Sequence, residues 1–109
     1  MHRPPFIFVR RQQVLHRVEL SEIKFVAAEG NYCYLNLSQD QEFTIKMSLR
    51  QLLSQLPEHD FIRIHKSYLI NVNHLTRLDM KARVAHISDK ELPIGRTYVS
   101  DLTKRFLIV

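Results

Sequence analysis

The first half of this 109-residue chain alternates apolar and polar residues with period two, and that spacing restricts the fold more than any other feature of the sequence. Successive side chains of a strand point to opposite faces, so Phe6 and Phe8 against Ile7 and Val9 predict one strand. Val14, His16, Val18 and Leu20 against Leu15, Arg17 and Glu19 predict a second. Ile23 to Ala28 reads as a third strand and Tyr32 to Leu37 as a fourth, with Cys33, Leu35 and Leu37 toward the core and Tyr32, Tyr34 and Asn36 on the opposite face. The polar turn Ser38-Gln39-Asp40-Gln41 then leads into Phe43, Ile45 and Met47, an antiparallel hairpin partner.

The period changes at Leu49, Leu52, Leu53 and Leu56, which share one helix face. Ser48 and Gln51 form a capping box at its start, and Pro57 ends it because its ring cannot continue the helical hydrogen bonds. Strand character returns at Phe61 to Ile64, Tyr68 to Val72, Leu75 to Leu78 and Val84 to Ile87, with turns near Lys81-Ala82 and Ser88-Asp89-Lys90. A short last strand around Leu92 and Ile94 precedes a closing helix carrying Val99, Leu102 and Phe106 on one face. The expected class is mainly β with two short helices. With only Gly30 and Gly95 as glycines and no linker or repeat, residues 1–109 read as a single domain.

No nucleophile with a base, metal cage or phosphate cradle stands out in the sequence, so no enzyme, cofactor or metal is expected. His65 and Ser67 lack a nearby acid to orient the imidazole. The histidines His2, His16, His59, His65, His74 and His86 have no metal-ligand spacing, and two distant glycines cannot build a phosphate-cradling loop. Cys33, the single cysteine, has no internal partner, which fits a reducing cytoplasm. No apolar run could span a bilayer, and Met1-His2-Arg3-Pro4-Pro5 lacks the apolar stretch of an export signal. What stands out is charge: 16 Lys and Arg against 11 Asp and Glu give +5, a field that favours a polyanion.

Two segments concentrate that charge. In Phe61-Ile62-Arg63-Ile64-His65-Lys66-Ser67-Tyr68-Leu69-Ile70-Asn71, apolar residues bracket Arg63, His65, Lys66 and Ser67, donors suited to phosphate oxygens and to the N7 and O6 acceptors of guanine. A solvated hairpin turn with a hydrogen-bonded histidine would account for the same residues. In Leu92-Pro93-Ile94-Gly95-Arg96-Thr97-Tyr98, Arg96 and Thr97 stand at the expected start of the last helix, where free amides favour an anion. An ordinary strand-to-helix loop is the plainer alternative.

Together with Ile23-Lys24-Phe25-Val26-Ala27-Ala28-Glu29-Gly30-Asn31-Tyr32 and the Ser48-Leu49 helix ending in Leu56-Pro57, these strings resemble, in order, the LytTR DNA-binding domain of bacterial response regulators. The resemblance runs from Phe6 to about Leu107. It implies an elongated fold of about ten strands in small antiparallel sheets, contacting double-stranded DNA through loops. By position it implies that the loop at Gly30 and Asn31, the turn at His65 and Lys66 and the region of Arg96 and Thr97 face DNA. Lys66 falls at a base-reading position, and Arg96 or Thr97 reaches the neighbouring major groove. The expected mechanism has two copies on direct or imperfect promoter repeats, forming a homodimer on DNA. Arg63, Lys66, Arg96 and Lys46 would supply the phosphate contacts. Regulators of this kind commonly carry a receiver or sensor domain, which this sequence does not include. A single-stranded RNA-binding sheet using Tyr32 and Tyr34, or a basic protein-interaction module, are the rival readings.

Overall fold

The computed structural model describes residues 4–109; Met1 to Arg3, and with them His2 and most of the stretch read for an export signal, lie outside the described residues. Ten strands run in chain order: β1 (Phe6–Arg11), β2 (Val14–Glu19), β3 (Ile23–Glu29), β4 (Tyr32–Leu37), β5 (Glu42–Ile45), β6 (Phe61–His65), β7 (Tyr68–Asn71), β8 (Leu75–Asp79), β9 (Val84–Ile87) and β10 (Lys90–Pro93). Helix α1 (Leu49–Leu53) lies between β5 and β6, and α2 (Val99–Thr103) follows β10. All pairings are antiparallel, in a two-stranded sheet β1-β2, a three-stranded sheet β10-β9-β8 and a five-stranded sheet β5-β4-β3-β7-β6. The molecule is elongated, 46 × 31 × 25 Å along its principal axes. Both the expected class and the ten-strand count hold.

The five-stranded sheet is the middle layer because β3, β6 and β7 at its centre and one edge are apolar on both faces. One face carries Val26, Cys33, Leu35 and Leu69, which pack with Val9 and Val18 of the first hairpin and with Leu49 and Leu52 of α1. The other carries Phe25, Ile62, Ile64 and Ile70, which pack with Ala85 and Ile87 of the three-stranded sheet and with Leu102 of α2. Cys33, Leu35 and Leu37 are buried, as their alternation requires.

Leu20, Val72 and Ile94, read as strand residues, lie just outside β2, β7 and β10, and three further boundaries differ by more. Helix α1 stops at Leu53, before Pro57, because Ser54 Oγ donates to the Gln51 carbonyl and i+3 bonds tighten the last turn through Leu56. Its capping box forms as expected, with Gln51 N–H donating to Ser48 Oγ at 3.1 Å. Strand β5 ends at Ile45, two residues before Met47. The closing helix begins at Val99 and is only five residues long, so Arg96 and Thr97 sit on a preceding 3-10 turn, not at the helix start.

Candidate nucleic-acid interface

The loops singled out in the sequence come together at one end of the five-stranded sheet, and backbone hydrogen bonds link them in a row. The β3–β4 turn carries Gly30, whose φ of +60° is a left-handed conformation that costs glycine nothing, and the exposed Asn31. Next to it, the Ala28 N–H donates to the Ser67 carbonyl at 2.8 Å, so the β3–β4 turn abuts the β6–β7 turn that holds Lys66 and Ser67. From there the Gly95 N–H donates to the Ile64 carbonyl at 2.7 Å, which seats the Gly95-Arg96-Thr97 segment beside β6. On the far side, Ile45 pairs with Cys33, which puts Lys46 level with the start of β4 at this same end.

A β-bulge makes the middle of the row possible. Arg63 pairs with Leu69 but His65 pairs with Tyr68, so β6 carries one residue more than its partner around Ile64. The ladder is interrupted there, and the Ile64 carbonyl accepts from Gly95. His65 and Ser67 do not share a strand: His65 ends β6 and Ser67 lies in the turn, where its backbone N–H donates to His65 Nδ1 at 3.0 Å. That bond requires a free lone pair on Nδ1, so Nε2–H is the neutral ring's remaining donor. The imidazole also lies against Tyr68, ring centres 5.6 Å apart.

Arg63 differs from the other basic residues of the row. Its side chain is half-buried, Nε donates to the His65 carbonyl at 3.2 Å, and Nη2 donates to the Lys66 carbonyl. Lys46, Lys66 and Arg96 are exposed and pair with no side chain among the described residues. Behind the row, burial pushes the Cys33 thiol up from its ordinary value while the Arg63 guanidinium pulls it partly back. Cys33 Sγ donates to the Met47 carbonyl at 3.0 Å, so this cysteine belongs to the core.

The row has a fifth element, which the sequence shows only as a turn. The Ile94 N–H donates to the Arg83 carbonyl at 2.9 Å, bringing the β8–β9 turn with exposed Lys81 and Arg83 next to Gly95. Asp79 fixes that turn by accepting from the Ala82 N–H at 2.9 Å, and Arg83 itself has a positive φ of 55°. The signal was present as the basic pair of Lys81-Ala82-Arg83; its position beside Arg96 follows only from the tertiary pairing. Five strands at about 4.8 Å spacing make the row on the order of 20 Å long before the Arg83 turn is added. Among the described residues no group of three or more His, Cys, Asp and Glu could hold a metal, and no helix is long and apolar enough to cross a membrane.

The family model described as the LytTr DNA-binding domain matches residues 13–107. An uncharacterized response regulatory protein of Vibrio cholerae is 30% identical over 88 residues, 75% of this chain and 34% of the relative. The sensory transduction protein LytT of Bacillus subtilis is 23% identical over 91 residues, 80% of this chain and 37% of the relative. The chain thus spans about a third of the length of these relatives. The fold is that of a solved LytTr DNA-binding domain from a Bacillus cereus response regulator, with a TM-score of 0.81 at 24% identity, covering 94% of this chain and 96% of the other.

Proposed function

The chain belongs to the LytTr DNA-binding domain family, and from that premise we propose that it recognises a specific double-stranded DNA sequence through the loops at one end of its central sheet. The observation that carries the reading is the hydrogen-bonded row, which places Lys46, Asn31, Lys66 and Arg96 along one edge. With the Arg83 turn added, the row approaches the roughly 34 Å repeat of the duplex, so its two ends can address successive major grooves.

Lys66 and Ser67 at the hairpin tip are the base-reading candidates of the middle of the row, with Asn31 on one side and Arg96 or Thr97 on the other. His65 contributes Nε2–H. Lys46, Lys81 and Arg83 serve as phosphate contacts that fix register. Two copies would lie on direct or imperfect repeats, each reading one half-site, and the chain would act in the cytoplasm as the output domain of a bacterial two-component response regulator joined to a receiver or sensor domain.

The test is selection of a site from a random duplex library, followed by fluorescence anisotropy with a duplex carrying that selected site, competed by a scrambled duplex and by each single strand. Selective duplex binding that Arg96→Ala weakens by about 1 to 3 kcal/mol, with relaxed preference at one base position, is the expected result. Arg96→Ala with affinity and preference intact removes the Arg96 segment from the interface. Preference for a single strand favours base stacking on exposed aromatics such as Tyr32, 44% exposed.

A further inference from the structure

We infer that Arg63 is a positioning residue, which locks the Lys66 turn and the Arg96 segment into one fixed arrangement instead of neutralising a phosphate. The inference rests on the duplex-binding reading above and assigns a role within it. A phosphate contact needs a guanidinium presented to solvent. Arg63 is half-buried and turns its fork inward, onto the carbonyls of His65 and Lys66. Those two carbonyls belong to the hairpin tip: His65 is the last residue of β6 paired across the hairpin, with Tyr68, and Lys66 lies in the turn beyond the ladder. A planar group with donors at fixed angles can bridge both, and an ammonium, a single point charge on a flexible stem, cannot do the same.

The guanidinium also links the two loops. Its carbon lies 6.0 Å from the centre of the Tyr98 ring, on the 3-10 turn that carries Arg96. A Cβ at Gly95 would come within 2.9 Å of Tyr98 Cδ2, so the ring is pressed against the Gly95 backbone, and the same glycine donates to the bulge carbonyl of Ile64. Arg63 therefore touches the hairpin tip on one side and faces the Arg96 turn on the other, while its neighbour Ile64 holds that turn by its backbone. If the guanidinium lets go, Lys66 and Arg96 keep their charges and lose their relative placement. The consequence is specific: discrimination between sequences falls, and the general attraction to DNA stays.

The decisive variant is Arg63→Lys, which keeps the charge and removes the fork. We expect it to bind the selected duplex roughly ten-fold or more weakly, to bind a scrambled duplex as the parent does, and to leave the slope of log K against log salt unchanged. In the protein without DNA, the Ser67 and Gly95 amides should exchange hydrogen faster, with the rest of the sheet protected as before. The proposal is overturned if Arg63→Lys behaves as the parent on both duplexes while Arg63→Met weakens both equally and lowers the slope by about one, the behaviour of a phosphate contact. Unchanged exchange at Ser67 and Gly95 overturns it too, as does faster exchange with discrimination intact. If even the parent does not discriminate between duplexes, the functional reading fails, and the exchange experiment still decides whether Arg63 holds the two loops.

Discussion

Asn71 is a polar side chain only 1% exposed, and its hydrogen-bonding groups are used across the core. Nδ2 donates to the Ile23 carbonyl at 3.0 Å and Oδ1 accepts from the Asn73 N–H at 3.0 Å, so one amide joins the end of β7 to the start of β3. Asn71→Ala would strand those backbone groups and leave a void; a loss of about 2 to 4 kcal/mol in urea unfolding is expected. Cys33, also buried, gives a pH-dependent case. Because its thiol holds its proton to higher pH when folded than when unfolded, its contribution is complete below the ordinary thiol range and declines as pH rises through the folded value. Between roughly pH 8 and 10 the parent should lose more stability in urea melts than Cys33→Ala does. At this scale the exposure of Lys66 and Arg96 was legible, because each lies in a polar connection between apolar segments. The inward turn of Arg63 was not, since it depends on where two backbone carbonyls point once the bulge has formed.

Among the elements, those specified by local rules were the most legible. Tyr32–Leu37 alternates cleanly and is β4 to the residue, and the Ser48/Gln51 pair caps α1 as its side-chain chemistry demands. The ends of α1 and α2 were less so, because i+3 bonds and packing, not proline or periodicity, decide where short helices stop. The β6 bulge left no mark in the sequence: the same residues fit an unbroken strand, and only the docking of Gly95 on Ile64 shows what the extra residue accomplishes. Gly95 itself serves for space, not backbone freedom, since its φ is −65°. Gly95→Ala should therefore push the Tyr98 ring away, cost about 1 to 3 kcal/mol by overpacking, and weaken duplex binding beyond its effect on stability; thermal unfolding and anisotropy together check this.

For the whole molecule, the layered arrangement explains why the basic row sits at an end. One face of the central sheet is covered by apolar packing, and on the other only β3, β7 and β6 are; its β4–β5 flank carries Tyr34, Asn36, Glu42 and Thr44. Lys46, Lys66 and Arg96 gather instead at the row of turns, which is what the sheet can present to a large polyanion. The charge of +5 announces such a partner in general terms, and the tertiary pairing adds which cations stand side by side. If Lys46, Lys66, Lys81, Arg83 and Arg96 each meet a phosphate or a base beside one, the salt slope should lie at roughly −4 to −5 per bound copy. The most direct test of the central claim is selection from a random duplex library with the purified protein at near-physiological salt. We predict enrichment of one motif, repeated at a spacing near one helical turn, whose binding falls when Lys66 or Arg96 is replaced. Binding at low salt with no enriched sequence would contradict the account, leaving a basic surface that attracts DNA without reading it.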